Sequence, residues 1–290
     1  MVTRRGLIRL IGASSVAAAT ARALRAQDDP DGWREPIAPL KIAGPIHYVG
    51  TRGLAAYLVT TPAGHILIDG ALPVSGPHVV DSIRALGVDP RQVKVLLITQ
   101  AHFDHVGTTA HLKTVTGGRL VVMKGDEGIL ASGGRSDYLF GDSPAYHFPP
   151  VTADEVIAHG HEVALGGVTL KAHHTPGHTP GTTTWTTTVD DGGRTYRVVF
   201  AGSTYVNPGT RLVNKPSYPG ILDDYRKALR VLESLQPEIF LAAHGSQFGF
   251  EAKRARAARD GVQAWVDPEA FRFGITASRA RLEKLAADEK

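Results

Sequence analysis

The run Val93-Lys94-Val95-Leu96-Leu97-Ile98-Thr99, followed at once by Gln100-Ala101-His102-Phe103-Asp104-His105, constrains this chain more than any other stretch. An apolar run rich in Val, Ile and Leu reads as a buried strand. Proteins that alternate strands and helices place their chemistry on the loop leaving the carboxyl end of such a strand. Here that loop brings four metal-competent side chains into six residues. Imidazole and carboxylate are ordinary zinc donors, and a catalytic zinc takes only three ligands from the protein. Gln100, His102, Asp104 and His105 cannot all reach one ion from so short a loop; they suit two ions side by side. The plain alternative is a polar surface loop that happens to hold two histidines and an aspartate.

Composition narrows the chemistry. The chain has no cysteine, which removes disulfides and thiolate ligands, while 13 His against 2 Met leave imidazole, carboxylate and amide to hold any metal. The formal charge of +4 invites a nucleic-acid partner, but residues 1–26 carry Arg4, Arg5, Arg9, Arg22 and Arg25 with no acidic residue, so the remainder stands at −1. A chain near neutrality has no electrostatic footprint for nucleic acid. At 290 residues and 42% hydrophobic content the chain can bury a sizeable core, and residues 27–290 are expected to form a single domain.

The leading segment reads as an address. Thr3-Arg4-Arg5-Gly6-Leu7 resembles a twin-arginine export signal, followed by a small-residue apolar stretch and a small-residue cleavage site at Leu24-Arg25-Ala26, with Ala19-Thr20-Ala21 as the alternative. Roughly 12 apolar positions are too few to span a bilayer. Residues 1–26 are therefore expected to be an export signal peptide, and the protein to be periplasmic.

Periodicity predicts strands over 46–49, 55–60, 65–69, 93–99 and 120–123, and again over 163–165, 168–173, 182–189, 197–201 and 239–243. Helices are predicted over 78–86, 108–116, 219–235, 251–265 and 268–287, with a polar arm over 28–39. Strands followed by helices in each half suggest two similar halves, with facing sheets inside and helices outside. The long irregular segment 133–150 holds Tyr138, Leu139, Phe140, Tyr146 and Phe148, and reads as a functional lid.

Two further histidines complete the donor set. His178 lies in Thr175-Pro176-Gly177-His178-Thr179-Pro180-Gly181, where Pro and Gly pin the backbone as a ligand loop requires. His244 follows the buried run that ends at Ala243. Alone, either would read as structural. Beside an upstream cluster still short of ligands, they read as the missing donors.

The ordered set QAHFDH (100–105), HTPGHTPG (174–181), FAGS (200–203) and AAHG (242–245) resembles the metallo-β-lactamase superfamily and, within it, the subclass B3 enzymes, over residues 36–280. The resemblance implies an α/β fold: a four-layer αββα sandwich of two facing mixed sheets, with metals in a groove between them. It implies one Zn2+ on Gln100, His102 and His178, and a second on Asp104, His105 and His244. The family's first ligand is normally His; an amide oxygen is a poorer zinc donor than imidazole, so the Gln100 site is expected to be the weaker.

The resemblance also implies hydrolysis of the β-lactam amide of penicillins, cephalosporins and carbapenems by metal-bound hydroxide, and with it antibiotic resistance. Asp104 would be the catalytic residue, both ligating and orienting the nucleophile. Many other hydrolases of the superfamily carry a metal-bridging Asp where Ser203 stands. A serine hydroxyl is too poor a ligand for that role, but it is suited to donate to a substrate carboxylate. Ser203 and Tyr205 are the expected substrate contacts, with Thr204, Arg211 and Lys215 behind them. Asp69 matches a position that supports the metal loop, while His173 and His174 are not expected to be ligands. The implied partner is a small-molecule β-lactam, with no nucleic acid, no stable membrane insertion and a monomeric protein. The rival is a dinuclear zinc lactonase or other ester hydrolase, which fold alone does not separate; a secreted zinc-binding protein without catalysis stands behind both.

Overall fold

Side-chain alternation along a few strands sets the layering. The computed structural model describes residues 31–289, so the export-signal reading of residues 1–26 lies outside the described residues. The first sheet runs β1 (Leu40–Ala43), β2 (Ile46–Tyr48), β3 (Tyr57–Thr61), β4 (Gly64–Ile68), β5 (Val93–Leu97), β6 (Arg119–Met123) and β7 (Glu155–Ile157), in that spatial order. Pairing is antiparallel from β1 to β4 and parallel from β4 to β7. The second sheet takes β8 (Glu162–Leu165), β9 (Val168–His174), β10 (Thr183–Asp191), β11 (Arg194–Ala201) and β12 (Ile239–Ala242) in the order β12-β11-β10-β9-β8. Only β11 and β12 run parallel there.

Successive strand residues face opposite sides of a sheet. Tyr57, Val59, Ile66, Ile68, Leu97, Val121 and Met123 enter one buried cluster together with Leu170, Ala172, Trp185 and Phe200 of the second sheet. Their neighbours Leu58, Leu67, Leu96, Leu120 and Val122 enter another, which is closed by helices. Those helices are α1 (Gly76–Ala85), α2 (Phe103–Val106), α3 (Thr109–Thr116) and α4 (Glu127–Ser132). On the far side lie α5 (Ile221–Glu233), α6 (Phe250–Asp260) and α7 (Pro268–Asp288). Tyr225, Leu229 and Leu232 of α5 and Phe271 of α7 join the main core, with the Phe271 ring 5.3 Å from that of Phe240. Burying one such apolar side chain contributes about 1.5–3 kcal/mol. The result is the expected four-layer αββα sandwich.

The structure adds elements that periodicity does not reveal. β1 follows directly on the predicted arm, and β7 and α4 fall in stretches without a predicted element. The helix predicted over 251–265 stops at Asp260, because Gly261 adopts φ 55 and a short 3-10 turn follows over Gly261–Ala264. No helix among the described residues is long and apolar enough to cross a membrane.

Candidate metal centre

The site begins where β4 and β5 end. Asp69 follows β4 with φ 59. Its buried carboxylate accepts hydrogen bonds from the Thr99 amide and the Thr99 hydroxyl, both at 2.7 Å. That clamp fixes how the chain leaves β5. Burial raises the Asp69 carboxyl to about 6, against the pull of His105 nearby. Three residues on, His102 takes an extended conformation and caps α2, whose single turn carries Asp104 and His105. Both are buried, His105 completely.

Six donors then fall into two groups. Asp104 Oδ2 lies 3.2 Å from His105 Nε2 and 3.3 Å from His244 Nε2. The ligand atoms of these three residues all lie within 4.8 Å of one another. Across the groove, His102 Nδ1 faces His178 Nε2 at 3.1 Å. Gln100 is buried in the loop that precedes His102.

The electrostatics prepare the donors as ligands. Burial, reinforced by His102, drives the His178 ring down to about 3, so it is neutral at physiological pH. Burial likewise lowers His244. It would raise the Asp104 carboxyl, but His105 and His244 reverse this and hold it well below the usual carboxylate range. His105 is the counterpart: burial favours its neutral ring, yet Asp104 and Asp69 raise its pKa.

These residues fit a metal. Gln100 Oε1 and both nitrogens of His105 are buried without a hydrogen-bond partner. Each buried polar atom left so costs about 1–3 kcal/mol; a cation at each site would relieve Gln100 Oε1 and one of the two His105 nitrogens. The donor set of imidazole, carboxylate and amide is the one that divalent zinc accepts.

A shell of backbone and carboxylate contacts aims these candidate ligands. His178 Nδ1 donates to the Tyr205 carbonyl at 2.6 Å, which turns Nε2 into the groove. Asp126 is fully buried and joins the two ligand loops: it accepts from the Ala101 amide at 2.9 Å, the Thr179 hydroxyl at 2.8 Å and the Gly181 amide at 2.7 Å. A Cβ on Gly181 would stand 2.6 Å from the Asp126 amide, so that close approach requires glycine. The segment 133–150 packs onto the same place. Phe140 meets the His102 ring edge-on at 5.2 Å, Tyr146 covers Phe140, and the Tyr138 hydroxyl donates to the His178 carbonyl at 3.1 Å.

The other predicted residues are distributed as follows. Ser203 is buried, and its Oγ accepts the Tyr205 amide at 3.1 Å. Tyr205 is exposed, with the Arg281 guanidinium 4.4 Å above its ring. Thr204 turns away to bond Ser278. Arg211 and Lys215 are exposed, and Arg211 bonds the Asn214 carbonyl. His173 and His174 bond Thr186 and the Pro180 carbonyl. Sequence reasoning missed Asp126 and Asp137. An acidic residue just past a buried strand was a usable signal for Asp126; Asp137 had none beyond its place in the lid.

The metallo-beta-lactamase superfamily model matches residues 49–244, a span that includes all six donors. Native FEZ-1 metallo-beta-lactamase from Legionella gormanii is 38% identical, covering 88% of this chain and 97% of that one, with a TM-score of 0.86. The class B3 di-zinc metallo-beta-lactamase LRA-12, from an Alaskan soil metagenome, is 33% identical over 88% of this chain and 96% of its own, with a TM-score of 0.83. A curated relative, a probable metallo-hydrolase of Burkholderia pseudomallei (strain 1710b), is 30% identical over 103 residues; the match covers 36% of this chain and about a third (33%) of that protein. With its donors grouped at the ends of two facing sheets, the chain belongs to the metallo-beta-lactamase superfamily.

Proposed function

We propose that the protein is a zinc-dependent β-lactamase that hydrolyses the β-lactam amide, with one zinc on Gln100, His102 and His178 and the other on Asp104, His105 and His244. The observation that carries this reading is likeness over nearly the full length to solved enzymes named as metallo-beta-lactamases. When bound, two zinc ions polarise the amide carbonyl and make water a nucleophile at neutral pH.

The chain's own residues supply position and charge. Asp104, held ionised between His105 and His244, would ligate the second zinc and accept a hydrogen bond that orients the attacking water. Because Ser203 Oγ already accepts the Tyr205 amide, its own proton is left to donate to the carboxylate that β-lactams carry beside the ring. Tyr205 presents an exposed ring beneath Arg281, while its carbonyl holds His178. Phe140 and Tyr146 wall off His102 and limit water on that side. The proposal includes export to the periplasm, on the strength of the signal-like start around Arg4 and Arg5.

The test is turnover of a carbapenem and a cephalosporin by the purified protein, with chelator and then with zinc restored. Activity that disappears on chelation and returns with zinc is the expected result. Zinc bound at both sites with no turnover of any β-lactam, and turnover of lactones or thioesters instead, would replace this reading with the ester-hydrolase one.

A further inference from the structure

The lid contributes one group whose geometry goes beyond shape. Asp137 is buried in segment 133–150, with its side chain only 2% exposed. Its Oδ1 accepts the amides of Leu139 at 2.8 Å and Phe140 at 2.7 Å, which folds the lid's own turn. Its Oδ2 points the other way, 3.3 Å from His102 Nε2. The contact is an ion-pair approach rather than an aligned hydrogen bond, and neither atom has a hydrogen-bond partner among the described residues, so each is left to the other.

The consequence lies on the far side of the ring. An imidazole that donates from Nε2 keeps its lone pair on Nδ1, and His102 Nδ1 faces His178 Nε2 at 3.1 Å. His178 in turn spends its Nδ1 proton on the Tyr205 carbonyl. Two lone pairs then confront each other, an arrangement that asks for a shared cation. Metal-bound histidines are commonly held in this way by a carboxylate or carbonyl on the second nitrogen.

We propose that Asp137 is the positioning residue of the first metal site: it holds His102 in the tautomer that ligates through Nδ1, and so joins the lid's fold to that site's affinity through one carboxylate. This rests on the two-zinc reading above. It offsets at His102 part of what the neutral amide of Gln100 withholds.

The test is Asp137→Asn in the full chain. The Asn carbonyl still accepts the Leu139 and Phe140 amides, but its NH2 group faces Nε2 and favours the wrong tautomer. Zinc alone is titrated against a chelating dye, and imidazole N–H resonances are read with 15N-labelled histidine. The expected result is about 10–100-fold weaker zinc at one site, an unchanged second site, and a shifted His102 Nε2–H signal. Wild-type affinity at both sites in a folded Asp137→Asn protein overturns the proposal. If that variant does not fold, the wild-type spectra decide alone: a His102 proton found on Nδ1 overturns it. If the wild type takes up no zinc, the two-zinc reading falls, and the His102 tautomer in the same spectra still decides the role of Asp137.

Discussion

Asp126 accepts a hydrogen bond from the Ala101 amide at 2.9 Å while holding the loop of His178 through Thr179 and Gly181, so one buried carboxylate ties together ligand segments far apart in the chain. Asp126→Ala would strand three buried donors. The expected loss is roughly 3–5 kcal/mol of unfolding free energy, together with weaker zinc binding at the His102–His178 pair. Urea unfolding of the metal-free protein checks it; a change below about 0.5 kcal/mol, the level of an ordinary surface substitution, would refute this role.

On the two-zinc proposal, Gln100 is the donor expected to hold its metal least firmly. Its orphaned Oε1 offers a neutral oxygen where imidazole would bind zinc more firmly. Zinc titration of the metal-free protein should show two phases, the tighter belonging to Asp104, His105 and His244. Gln100→His should draw the phases together by strengthening the weaker one. Equal affinities in the wild type, or no response to the substitution, would contradict this.

Ser203→Ala removes the hydroxyl, both the proton offered to substrate and the acceptor of the Tyr205 amide, while replacing none of the six donors. Loss of one hydrogen bond to a charged group is worth about 1.5–3 kcal/mol. KM for carboxylate-bearing β-lactams should therefore rise about tenfold or more, with kcat changed far less. Steady-state kinetics on one penicillin and one carbapenem suffice. A fall in kcat at constant KM would place Ser203 in the chemistry instead.

His173 offers a stability test away from the metals. Burial, with His159 and Lys171 adding to it, pushes its pKa from 6.5 down to about 4. Between those values the unfolded chain binds more protons, so the contribution is fully present above pH 6.5 and is lost as the pH falls towards 4. The ring is only half-buried, so solvent screening reduces the effect to on the order of 1 kcal/mol. His173→Gln, which can keep the bond to Thr186, should flatten the wild type's decline in unfolding midpoint between pH 7 and pH 4.5. Parallel profiles for the two proteins would rule this out.

What could be read in advance follows from where each signal sits. The Val93–Leu97 strand and the donors after it are adjacent in the chain, so pattern and chemistry reinforce each other. His178 and His244 stood out because Pro, Gly and an apolar run frame them. Asp126 and Asp137 look like ordinary loop acids, since the groups they serve lie far off in the chain, 53 residues away at Thr179 for the first and behind the metal groove at His102 for the second. β1 and β7 escaped for another reason: they are the two edge strands of the first sheet, partly exposed and without a buried apolar run, and only their pairing with one neighbour makes them strands.

The strands β3 to β6 have apolar side chains packed on both faces, one set against the second sheet and the other against helices. Such strands leave little room for polar variation, because nearly every position already has a packing partner. Novelty is therefore confined to their carboxyl ends, where Asp69, Gln100 and Asp126 stand. A lineage built on this frame can rewrite its reaction by editing a handful of end positions while the interior stays silent.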